Sequence, residues 1–146
     1  VRGVVAAFAV VAVATAGCVS PSRTDDDYRH KAANTAQTVA SSLQTARLGV
    51  KAAVDGKTFG PYLTRLLAEA EEDAEGAQAA FDAVQPPSEH ADAIHDELAD
   101  LLTDALDTLR GLRIAVRRSD LAKLRETARP LGELADKLDE FQDHVT

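Results

Sequence analysis

The sequence predicts an all-α protein, an antiparallel up-down-up-down four-helix bundle following a cleaved signal peptide. Three observations carry that expectation. Helix formers dominate, aromatic residues make up 4% of the chain and tryptophan is absent. No stretch alternates apolar and polar residues with β-branched enrichment for long enough to form a strand. Four amphipathic segments separated by short breakers account for nearly all of residues 28–146, and short connections between long helices favour antiparallel neighbours.

The first helix is expected over residues 27–54. Ala32, Ala36, Val39, Leu43, Ala46, Val50 and Ala53 recur at alternating steps of four and three, which winds into one narrow stripe. The second follows a glycine-containing turn, with Thr58 as N-cap and Pro61 in the first turn, where its missing N–H costs little. It runs to about Val84 and turns Phe59, Leu63, Leu66, Ala70, Ala74, Ala77, Phe81 and Val84 inward, its alanines allowing close approach to the first helix. Pro86 and Pro87 end that pattern. Ser88 then caps a third helix over 89–118, carrying Ile94, Leu98, Leu101, Ala105, Leu109, Leu112 and Val116, with Leu102 and Leu106 widening the stripe. The fourth starts from Asp120 as N-cap and carries Leu121, Leu124, Ala128, Leu131, Leu134, Leu138, Phe141 and Val145. Pro130 should kink it, because proline removes one ladder hydrogen bond and clashes with the preceding turn. Ala53-Val54, three residues, then Thr58-Phe59 echoes Ala115-Val116, three residues, then Asp120-Leu121; duplication and coincidence both account for the match.

Ahead of the helices, Arg2 precedes an apolar run from Gly3 to Ala16. That run is shorter than the ~20 residues needed to cross a bilayer but suits a signal-peptide core ending in small residues. It closes on Thr15-Ala16-Gly17-Cys18, with the only cysteine of the chain. The tetrapeptide resembles the lipobox of bacterial lipoproteins. The resemblance covers residues 1–18. It implies that residues 1–17 are removed, that Cys18 carries a diacylglycerol, and that the mature chain is lipid-anchored to the bilayer on the extracytoplasmic face of the cell membrane. Two acyl chains suffice for stable attachment, since each buried CH₂ contributes ~0.8 kcal/mol. Residues 18–27, rich in Ser, Pro and Asp, read as the lipidated cysteine and a flexible spacer, leaving 28–146 as the bundle domain. A single cysteine excludes an intramolecular disulfide, so packing alone must hold the domain.

Lys and Arg number 16 against 24 Asp and Glu, a net charge of −8, and removal of residues 1–17 takes away only Arg2 and shifts this to −9. An acidic chain of this kind is a poor partner for nucleic acid. The bases are nevertheless sorted. An antiparallel bundle brings Arg47, Lys51, Lys57, Arg65 and the bases from Arg110 to Arg129 toward the end far from Cys18, while most acids gather in the anchored half. Helix dipoles favour acids at N-termini and bases at C-termini. Helices one and three obey that rule, whereas Arg65, Lys123 and Arg125 lie near the N-termini of helices two and four. Sorting by height in the bundle predicts an anion- or partner-binding end made by Arg110, Arg113, Arg117, Arg118, Lys123 and Arg125, suited to an anionic envelope polymer or an acidic protein. A merely solvated surface would instead use Glu126 and Glu133 as counter-charges for Arg125 and Arg129.

The same folding gathers His30, His90, His95 and His144 at the opposite, acidic end, and Asp92, His95 and Asp96 share one helical face. Imidazoles beside carboxylates form a ligand set for divalent metals, although the paired Glu-x-x-His motifs of di-iron bundles and any Met or Cys ligand are missing. No Gly-rich phosphate loop, G-x-S-x-G elbow, H-E-x-x-H or Cys–His pair occurs, so no catalytic residue is expected, and no cofactor beyond the Cys18 lipid and a divalent metal at the histidine end. The chain is therefore expected to work as a binding module for an anionic envelope component or acidic protein, not as an enzyme. Metal handling or pH sensing at the histidine end, and a structural or inhibitory role in a membrane complex, are the alternatives.

Overall fold

Thr24 opens the first helix three residues earlier than the apolar stripe alone implies. Its side-chain oxygen accepts from the N–H of Asp27 at 3.1 Å, and Asp25, Asp26 and Asp27 occupy the first turn, where carboxylates complement the helix dipole. These aspartates therefore belong to helix α1, Asp25–Val54, and not to the spacer. The computed structural model describes residues 24–58 and 60–146. The signal segment, Cys18 and the spacer through Arg23 lie outside the described residues, as does Phe59 of the expected second stripe. Among the described residues every regular element is helical: α1, then α2 (Gly60–Asp82), α3 (Glu89–Arg117), α4 (Leu121–Thr127) and α5 (Leu131–Val145). None is long and apolar enough to cross a membrane.

The junctions follow local chemistry. Gly56, at φ +69°, closes α1 in the left-handed region that glycine enters without steric cost, with Lys57 N–H donating to the Ala52 carbonyl at 2.8 Å. Helix α2 starts at Gly60, so Thr58, expected to cap it, stands one residue before the capping position. Ser88 caps α3 as expected, accepting from the Ala91 N–H at 3.2 Å, and its hydroxyl donates to Asp25 at 2.8 Å, tying the start of α3 to the start of α1. Asp120 caps α4. The left-handed residue at that junction is Ser119, one position off from Gly56 in the sequence echo, so the two junctions are built differently. Pro130 breaks the fourth predicted helix instead of kinking it. Proline has no N–H for the next ladder bond, and the chain passes from α4 to α5 through three-residue-spaced bonds, Arg129 to Glu126 at 3.2 Å and Leu131 to Ala128 at 3.3 Å.

Helix α1 touches all four other helices, whereas α2 meets only α1 and α3 among the described residues. Paired positions run in opposite directions along neighbours. Tyr28 lies 5.4 Å from Phe81 while Gly49 faces Leu63 and Leu66, and Glu75 meets Arg110 while Glu71 meets Arg113. Glu97 and His144 share one groove with Asp104 and Lys137. A Cβ at Gly49 would stand 2.8 Å from Leu66 Cδ2, and one at Gly111 2.9 Å from Thr127 Cγ2, so these glycines mark where α1 meets α2 and α3 meets α4 most closely. One apolar core draws on all five helices. Its α2 contribution differs from the expected stripe: Leu67 is fully buried, Leu66 only partly, because α2 packs against two neighbours and needs two inward flanks. Burying a leucine of this kind stabilises by roughly 1.5–3 kcal/mol. On α3 Leu102, not Leu101, is fully buried. Leu121, expected inside, is 43% exposed at the rim, three residues before the first buried position of α4, Leu124.

Candidate functional site

The bases expected to bind an anion divide into two groups once their side chains are placed. Arg113 grips Glu71 through two hydrogen bonds, Nη2 to Oε1 at 2.9 Å and Nε to Oε2. Arg110 donates to Glu75 at 2.8 Å and lies 3.5 Å from Asp107 and 3.9 Å from Glu71. The Glu71 side chain is only 7% exposed. Hydrogen bonding to Glu71 raises Arg113 above the usual guanidinium range, and bonding to Glu75 does the same for Arg110. A paired fork of this geometry is among the stronger polar contacts, and a carboxylate taken out of water requires it. Lys123 reaches Glu126 at 3.2 Å. Three of the six expected bases are thus already neutralised within the chain, and their role here is to hold α2 to α3 and to brace α4.

Arg117, Arg118 and Arg125 are exposed and form no ion pair among the described residues. Arg47, Lys51 and Arg129 share that condition. The acids that local spacing would assign to them are committed elsewhere: Asp55 to Lys57 at 3.3 Å, Glu126 to Lys123, and Glu133 to Lys137 at 2.8 Å. The last bond holds the Glu133 carboxyl below its ordinary range and lifts Lys137. The Arg47 guanidinium lies against Gly132 of α5, where a Cβ would be 3.3 Å from Nη1 and 3.4 Å from Cζ. Pro130 precedes α5 and supplies no side-chain cap to its first N–H groups. Six uncompensated cations therefore stand at the ends of α1, α3 and α4. Sequence spacing marks their height in the fold but not which of them lack a counter-charge, since Lys51 has Asp55 and Arg129 has Glu126 and Glu133 within helical reach.

The histidines are not brought to one point. His90 and His144 line a surface pocket of about 210 Å³ with Arg29, Ile94 and Glu97. His95 points elsewhere, stacked on Phe81 at 5.5 Å with Nδ1 3.4 Å from Asp96. His30 and Asp92 are exposed. Among the described residues no group of three His, Cys, Asp or Glu side chains is placed to hold a metal ion. Helical phase explains the separation: His90 and His95 are five residues apart, which sends them to different flanks of α3.

Beside that stack Tyr28 is fully buried, and among the described residues its hydroxyl has no hydrogen-bond partner. Burial, and secondarily the carboxylates of Asp92, Asp82 and Asp96, push its pKa up to about 12. Tyr62, in contrast, is 54% exposed. Compared with protein-family models, with curated proteins and with solved structures, the chain matches none.

Proposed function

We propose that the chain is a membrane-anchored extracytoplasmic lipoprotein, built as an antiparallel up-down-up-down four-helix bundle, that works as a non-catalytic binding module for an anionic envelope component. Contacts whose numbering falls on one helix as it rises on the next support the topology. The TAGC tetrapeptide ending at Cys18 supports the anchor. The observation that carries the binding role is the set of six exposed cations without acid partners at the end of α1 remote from residue 18. Helix α1 has 30 residues, which puts that end ~45 Å from the helix start. Clustered like charges repel, and an anionic partner relieves that repulsion.

A ligand bound only to the native state raises its melting temperature. Pyrophosphate or fragments of a phosphate-bearing wall polymer are expected to raise the melting temperature of the full chain. Replacing Arg47, Arg117, Arg118 and Arg125 together by glutamate should remove the shift. A parent chain whose melting no anion alters would overturn the binding role. Cys18→Ser should move the protein from the membrane fraction to the soluble fraction, and retention in the membrane would overturn the anchor.

A further inference from the structure

The six unpaired cations do not form one surface. Arg117 and Arg118 close α3, with Arg117 beside a shallow pocket that also takes Glu72 and Glu75. The other four lie on α1, on α4 and in the turn that follows it, and α1 and α4 are in contact. Arg47 and Lys51 are one turn apart on α1, and the Arg47 guanidinium crosses Gly132 just beyond the α4–α5 turn. On α4 the flank toward α3 is occupied by Lys123, Glu126 and Thr127, and Leu124 faces the core. The helical repeat therefore leaves Arg125 on the flank away from α3, and Ala128 and Arg129 follow in the turn that leads to Gly132. Gly132, against which the Arg47 guanidinium lies, is three residues beyond Arg129.

We propose that Arg47, Lys51, Arg125 and Arg129 form one binding site for a chain of phosphates, the two rows gripping successive phosphate groups. Three features favour this ligand over other anions. Residues four apart on a helix stand about 5–6 Å apart at Cβ, so each row meets consecutive charges of a polyanion better than one isolated ion. Guanidinium groups offer forked donors that match phosphate oxygens. Four cations carry more charge than one orthophosphate neutralises, so a chain of phosphates matches them better than a single ion. The inference rests on the proposed binding role and narrows it to one seam and one ligand chemistry.

The test is calorimetric titration of the full-length chain with inorganic tripolyphosphate, orthophosphate, glycerol-phosphate oligomers and phosphatidylglycerol vesicles. Tripolyphosphate should bind at least tenfold more tightly than orthophosphate. Binding of glycerol-phosphate oligomers as well would point to a phosphodiester polymer as the source of the chain, and binding of tripolyphosphate alone to free polyphosphate; either outcome supports the site. R125E with R129E should weaken tripolyphosphate at least tenfold. R117E with R118E, at the end of α3 and outside the proposed site, should leave its affinity within about twofold. Arg47 packs on Gly132, so the variant pair is Arg125 and Arg129, which are exposed and form no ion pair among the described residues. Loss of binding in R117E with R118E but not in R125E with R129E would overturn the seam while leaving the binding role intact. Binding of vesicles without any binding of tripolyphosphate would overturn the polymer in favour of a lipid surface. No binding of any anion would overturn both.

Discussion

The α2–α3 interface and the α1–α4 seam are built from the same residue types and use them in opposite ways. At the first, Arg110 and Arg113 are locked to Glu71, Glu75 and Asp107, and the carboxylate at the centre is nearly out of water. At the second, Arg47, Lys51, Arg125 and Arg129 form no ion pair among the described residues, although Glu126 and Glu133 are nearby in sequence and bond lysines instead. The first arrangement is a structural clamp; the second carries repulsion that folding does not require. An arginine count says how much positive charge is present, and only the partners say what it is for.

The sharpest way to break this contrast is to remove Glu71. Glu71→Ala strands the Arg113 guanidinium at the α2–α3 interface, while Arg110 keeps Glu75, and should lower the melting temperature by about 10 °C, whereas Arg125→Ala should leave it within about 2 °C. Equal effects in a thermal melt would mean that the two regions are not different in kind. Gly49→Ala should cost about 1–3 kcal/mol in denaturant unfolding, because its Cβ would press on Leu66 and Leu63 where α1 and α2 meet.

Tyr28 extends the comparison to a polar group that is committed to nothing. Its folded-state pKa lies above its unfolded value of about 10, so the fold holds the phenol proton more tightly than the unfolded chain does. The associated stability is present below pH 10 and is lost as pH rises toward 12. Tyr28→Phe should flatten that loss in pH-dependent unfolding, and at pH 7 should change stability by less than about 1 kcal/mol, toward greater stability, since the hydroxyl makes no bond. The smallest effect is expected at the seam itself. Arg129→Gln should raise the melting temperature by about 1 °C at low ionic strength and have no effect at 1 M salt, where charges are screened beyond about 3 Å.

Much of the fold was legible because caps and apolar period are local. Ser88, Asp120 and the spacing of Ile94, Leu98, Ala105, Leu109 and Leu112 locate α3 and the start of α4 to within a residue, whereas the single fourth helix expected through Val145 is split in two at Pro130. What failed depended on neighbours. Leu67 and Glu71, four residues apart, form a second inward flank of α2 that a single-stripe reading turns toward solvent, and the partner of Glu71 is 42 residues away. Glu71 also sits in the run Glu71-Glu72-Asp73, where nothing local distinguishes the buried carboxylate from its exposed neighbours. The site was half legible: height in the fold follows from helix order, so the basic end was visible. Pairing depends on which of two bases within reach takes an acid, as with Glu126 between Lys123 and Arg129, and spacing leaves that open. The histidines failed for the same reason, gathered in height but turned to different flanks.

The most direct measurement is to follow the arginine Nε–Hε resonances by NMR while tripolyphosphate is added to the full-length chain. The account predicts saturable shifts at Arg47, Arg125 and Arg129, with Arg110 and Arg113 unmoved because Glu71 and Glu75 already hold them. Shifts at Arg110 and Arg113 with a silent seam, or no shift at any arginine, would contradict it.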